Sequence, residues 1–127
     1  MFKLFSVAEA NKLIPQVDEK IREMQASARD LRELQEKLQQ KRPQGIQALN
    51  NAQEMKFLLT TVQQLGADLN RMGVYIKDLE QGSVDFPSQI GAEVIRLCWE
   101  QGDADIRYYR HLNDERKILL PEIIHQA

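Results

Sequence analysis

Several side chains in this sequence could do chemistry if the fold brought them together. The stretch IKDLEQGSVDFP, residues 76–87, sets two carboxylates, Asp78 and Asp85, around a glycine beside an apolar run. Paired carboxylates can bind a metal or serve as general acid and base. His111 is followed by Asp114 and Glu115, and histidine with carboxylates is a metal-ligating combination. Cys98 would be a nucleophile given a base and an exposed, electropositive setting. Arg96, Arg107 and Arg110 interleave with Tyr108 and Tyr109, a mixture able to clamp an anion or stack bases.

Each of these has a plain structural counterpart. With Gly82 at the left-handed position of a three-residue loop, Leu79 faces Ser83, Asp78 faces Val84, Lys77 faces Asp85 and Ile76 faces Phe86. Val74, Ile76, Val84 and Phe86 then line the core, and Asp85 becomes the solvent-side partner of Lys77. Asp78 sits less comfortably at the end of the apolar face, where it can accept from turn N–H groups. His111 and His125 form no HxH or HxxxH pair, which favours a strand-end histidine and an idle one near the terminus. Cys98 lies in the apolar string IRLCWE and reads as a core thiol. The arginine stems can equally cover the polar face of a sheet, with Glu93, Glu100, Asp103 and Asp105 close by to neutralise them. Asp78, Arg96, His111 and Glu115 remain the candidates for metal ligation or, for Arg96, anion binding. No catalytic motif is legible, and no cofactor is expected.

The elements that must position these residues divide near residue 73. Before it Leu, Gln, Glu, Lys and Arg dominate; after it come Tyr75, Phe86, Trp99, Tyr108 and Tyr109 and most of the glycines. SVAE is a capping box, Ser6 with Glu9, that starts a helix near Val7. Ile14, Val17, Ile21, Met24, Ala28, Leu31 and Leu38 follow at spacings of three and four, with Gln35 interrupting the series. Pro15 predicts a kink, or a short first helix before the long one. KRPQG, 41–45, is a turn, and Met55, Leu58, Val62, Leu65, Leu69 and Met72 repeat the spacing up to Gly73. The second helix starts at Gly45 or, with Asn51 and Glu54 as its cap, later. Strands are predicted at Val74–Leu79, Ser83–Phe86, Glu93–Trp99 and Asp105–Leu112. EQG and QGD form turns and PSQIG a looser connection, and the tail docks as a helical turn interrupted by Pro121. The expectation is one α+β domain over 1–127: a long antiparallel helical hairpin (7–72) on a β-meander of three to four strands (74–112), then a C-terminal tail (113–127).

Composition narrows the function. Charged residues make up 28% of the chain and apolar ones 43%, as in an ordinary folded domain. A net charge of −2 gives no electrostatic footprint for nucleic acid, which is therefore not an expected partner. No run approaches the roughly 20 apolar residues of a membrane span, and no signal-peptide core is visible. One cysteine allows no internal disulfide, which suits the cytoplasm.

Three strings carry a family resemblance: FSVAEANKLIPQV, MGVYIKDLEQGSVDFP and LCWEQGDADIRYY. They resemble the prokaryotic family catalogued as domain of unknown function 2203, at both ends of the chain in letters and between them in pattern. The family's activity is not established, so the resemblance implies a fold more than a reaction. Its members follow LCW with a Tyr-Trp-His-Glu string, then a Gly-Phe and an arginine. Counted from Trp99, the family's histidine falls on Arg110, its glutamate on His111 and its glycine on Glu115. If that His-Glu pair binds metal elsewhere in the family, this chain has lost it or shifted it by one position, which on a strand reverses the face.

The helices carry the remaining expectation. Pro15 to Gln40 alone would extend about 39 Å at 1.5 Å per residue, against a radius of gyration of about 14 Å for a compact chain of this size. The hairpin should project, and Leu13, Leu34, Phe57 and Leu59 widen its apolar stripe beyond what one partner helix covers. A homodimer through the helices follows, and with it a non-enzymatic interaction or self-assembly module. The alternative is a small metal- or anion-binding domain or enzyme with its site on the sheet.

Overall fold

The computed structural model describes residues 3–121 as two long helices followed by an antiparallel sheet. Helix α1 spans Val7–Gln40 and α2 spans Ile46–Met72. Strands β1 (Tyr75–Asp78), β2 (Ser83–Ile90), β3 (Glu93–Glu100), β4 (Tyr108–His111) and β5 (Ile118–Leu119) lie side by side in chain order. The α+β class, the helical hairpin and the meander are as read from the sequence.

The helix ends follow local chemistry. Ser6 Oγ accepts from Glu9 N at 3.0 Å while Glu9 Oε1 accepts from Ser6 N at 2.9 Å, which closes the capping box. One uninterrupted helix runs through Pro15, so no short first helix exists. Ile14 and Val17, buried on either side, hold the turn that loses its bond at the proline. Gly45, with φ of 61°, is the N-cap of α2, and Asn51 lies within the helix. Gly73 ends α2 in the left-handed conformation at φ 86°.

One hydrophobic core joins the helices to the sheet. Val17, Ile21 and Met24 of α1 and Leu65 and Leu69 of α2 pack with Phe86, Leu97 and Trp99 of the sheet. On α1 this cluster ends at Met24. Farther out, Leu34 and Leu58 are the buried apolar residues among those described, while Ala28, Leu31 and Leu38 are half-buried. Leu34, expected beside the seam, lies in it, because a straight helix drifts about 20° per heptad against a 3.5-residue repeat. The distal part of the hairpin, α1 beyond Met24, extends about 24 Å at 1.5 Å per residue. At the point where the core ends, Gln25 Nε2 donates to Leu79 O at 2.8 Å and to Gln101 Oε1 at 3.0 Å, latching α1 to the β1–β2 turn and to the start of the β3–β4 connection.

The sheet departs from expectation in four places. First, PSQIG is not a loose connection: its residues through Ile90 continue β2 to pair with β3. Pro87 is tolerated because it lies past the last paired residue of β1, where no strand needs its missing N–H. Its carbonyl accepts from Phe5 N at 2.7 Å instead. Second, there are five strands, since Ile118 and Leu119 pair with Tyr109 and Tyr108 rather than forming a helical turn, and the tail beyond Pro121 lies outside the described residues. Third, β4 starts only at Tyr108, after Ile106 N donates to Asn11 Oδ1 of α1 at 2.8 Å. Fourth, the first hairpin has another register: Tyr75 faces Asp85, Ile76 faces Val84 and Asp78 faces Ser83, with an irregularity at Lys77. The irregularity keeps Ile76 and Val84 on the core side while removing Lys77 from opposite Asp85.

Candidate functional site

The face of the sheet away from the helices carries a buried charged cluster. On β2 and β3, Val84, Phe86, Ile95, Leu97 and Trp99 point into the core, so Asp85, Arg96 and Cys98 point the other way. Arg96 faces Arg110 across β3 and β4, which places Arg110 on the same side. Asp85 is 8% exposed and Arg110 also 8%. Arg96 Nη1 donates to Asp85 Oδ2 at 3.2 Å, and Arg110 Nη1 lies 3.9 Å from Asp85 Oδ1, beyond hydrogen-bond range. Asp85 Oδ1 is buried with no hydrogen-bond partner among the described residues.

The segment between β4 and β5 forms a strap over this cluster. Arg96 Nη2 donates to His111 O at 3.0 Å and to Asp114 O at 2.8 Å, and Arg110 Nε donates to Glu115 O at 2.8 Å. The strap is thus held by its backbone carbonyls. The Glu115 carboxylate accepts from Lys77 Nζ of β1 and stands 3.6 Å from Arg96 Nη2. Lys77 beside it holds the Glu115 carboxyl below the ordinary carboxylate range. Arg110 Nη1 lies 3.1 Å from Cys98 Sγ. Burial, then the Asp85 charge, raises the thiol above its ordinary value, against the smaller opposing effect of Arg110. Cys98 is therefore a buried neutral thiol, the opposite of an activated nucleophile.

The candidates read from the sequence divide here. Arg96 and Glu115 come together. Asp78 does not join them: its Oδ1 accepts from Gln81 N at 3.2 Å within the turn. His111 contributes its carbonyl but not its ring. Opposite Ile95, the ring lies on the helix-side face, where Nδ1 is 2.6 Å from Glu93 Oε1. Among the described residues no group of three or more His, Cys, Asp or Glu stands together to hold a metal. The arginine–tyrosine face is also split, since Tyr109 packs on the core and Arg107 pairs with Asp105 at 3.1 Å. His125 lies outside the described residues.

The central residue, Asp85, was misplaced by sequence reasoning as a solvent-side partner of Lys77. Lys77 pairs with Glu115, and Asp85 is the buried counter-charge of two arginines. Phe86 followed directly by Pro87 was the available signal, because apolar residues at successive positions mark a strand covered on both faces. A carboxylate and two guanidinium groups under a strap cost more to desolvate than apolar residues of equal volume.

None of the described helices is long and apolar enough to cross a membrane. No curated protein and no solved structure matches the chain. A family model described as Uncharacterized conserved protein (DUF2203) matches residues 3–117, which takes in the hairpin, the charged cluster and the strap. This chain therefore belongs to the DUF2203 family of uncharacterized conserved proteins.

Proposed function

We propose that this protein is a non-enzymatic assembly module of the cytoplasm, acting as a homodimer through its helical hairpin. The observation that carries this reading is the outward face of α2. Ile46, Leu49, Gln53, Phe57, Thr60 and Gln64 follow one another at helical spacing, all exposed and none charged. Ile46 is 72% exposed, Leu49 54% and Phe57 69%, three large apolar side chains set along one uncharged line of the helix. The strip runs about 27 Å at 1.5 Å per residue.

The favoured occupant is a second copy of this chain. A neutral strip can lie against itself about a two-fold axis without setting like charges together, and its amides and hydroxyls can hydrogen-bond across the axis. The exposed side of α1, with Arg22, Glu23, Arg29, Asp30, Arg32 and Glu33, offers no comparable strip. The distal hairpin also has little core of its own, so pairing it with another hairpin supplies the missing burial as in a four-helix bundle. Light scattering or sedimentation at tens of micromolar tests the reading. Twice the 14.7 kDa chain mass is expected, and a monomer overturns it.

A further inference from the structure

We propose that Lys77 and Arg96 form a cradle for a small oxyanion, a carboxylate or a phosphate, and that Glu115 is its tethered occupant in the closed form seen here. This site lies on the opposite side of the molecule's sheet from the helices and is independent of the assembly reading.

The cradle is built from separate elements. Lys77 comes from β1 at the register irregularity between Ile76 and Asp78, a feature that re-aims side chains. Arg96 comes from the middle of β3, its side chain 16% exposed, and Asp85 fixes the guanidinium from below. Glu115 reaches in from the strap, its side chain 72% exposed. The carboxylate accepts from Lys77 and stands 3.6 Å from Arg96 Nη2, within charge attraction though beyond hydrogen-bond range, so it lies between two cations from two strands.

Two features make the occupant replaceable. The strap is anchored by the carbonyls of His111, Asp114 and Glu115, so the Glu115 side chain can leave while the backbone stays in place. Exposed ion pairs are weak, so little holds the side chain beyond its tether. Once it leaves, Arg96 and Arg110 share one carboxylate, Asp85, while Lys77 has no ion-pair partner among the described residues, and the site carries an excess of positive charge. Arg96 and Arg110 are shielded from water, which strengthens their attraction for an anion over that of surface lysines. In the closed form an incoming anion must compete with a carboxylate held at an effective concentration on the order of millimolar.

The test compares the full chain with Glu115→Gln and with Lys77→Ala/Glu115→Gln, each titrated with citrate, with inorganic phosphate and with sodium chloride at matched ionic strength. Amide chemical shifts of the strap and of Lys77 report binding, and Trp99 fluorescence confirms that each variant is folded. Glu115→Gln is expected to bind citrate or phosphate about tenfold more tightly than the unaltered chain, in line with removal of a tethered competitor. The double variant is expected to lose that gain. A response to citrate alone identifies a carboxylate ligand, and one to phosphate alone a phosphate ligand. Equal affinities for the unaltered chain and Glu115→Gln, or equal shifts with chloride, overturn the proposal.

Discussion

Asp85 and Arg96 meet diagonally across β2 and β3: Asp85 faces Cys98 and Arg96 faces Pro87, yet Nη1 of Arg96 reaches Asp85 Oδ2 at 3.2 Å. This pair turns a sheet face into a charged, strap-covered cluster. Its removal should be costly, because truncating one partner leaves the other charge buried. Asp85→Ala is expected to lower stability by about 3–5 kcal/mol. Urea unfolding followed by Trp99 fluorescence measures it, and a loss below about 1 kcal/mol would mean that water already reaches both arginines.

Gly82 links the first hairpin to the latch on α1. Its φ is 70°, and an added Cβ would come within 2.6 Å of the Gln101 Cβ. Gly82→Ala should therefore destabilise the fold through both backbone strain, on the order of 1–2 kcal/mol, and displacement of Gln101. Because the clash is with Cβ itself, adding Gln101→Ala should not restore stability, whereas Gln101→Gly should recover part of it. Thermal melts of the three variants distinguish these outcomes.

Cys98 should resist alkylation by iodoacetamide in the folded protein at neutral pH and react once urea exposes it. The sign of its linkage is definite. A thiol held protonated more strongly in the folded state stabilises the fold at pH below its unfolded value and loses that contribution as pH rises through the raised folded value. Unfolding midpoints should thus fall in alkaline buffer, and Cys98→Ala should flatten that part of the profile.

The carboxyls of Glu9, Asp114 and Glu115 shift the other way. The largest causes are the Ser6 backbone for Glu9, the Arg116 backbone for Asp114 and Lys77 for Glu115. Depressed folded values stabilise the fold above the ordinary carboxylate range and cease to do so as pH falls through the folded values. Acidification should loosen the start of α1 and the Asp114–Arg116 turn before the core, seen as earlier hydrogen exchange at 6–10 and at Arg116, while the carbonyl-anchored remainder of the strap holds.

Phe57→Asp and Leu49→Asp place a charge on the neutral strip of α2 without touching the core. Both should convert the proposed dimer to monomer with little change in the spectrum of Trp99. Leu65→Asp is a poor probe of assembly by comparison, because Leu65 is 9% exposed within the core and its substitution should unfold the chain.

The sequence alone determined what depends on neighbours a few residues apart. The Ser6–Glu9 box, the left-handed Gly73 and Gly82, the periodic seam and the inward alternation of Val84 and Phe86 are set by local hydrogen bonding, steric limits and side-chain period. Tertiary structure decided what depends on register and on distant partners. A single irregularity at Lys77 separated it from Asp85, extended pairing carried Pro87 into β2, and the pairing of His111 with Ile95 turned its ring away from Arg96. In a sheet one residue of slip reverses every side chain, and the energy that selects among registers comes from packing and from the strap's carbonyls on Arg96 and Arg110, contacts absent from any short stretch of chain.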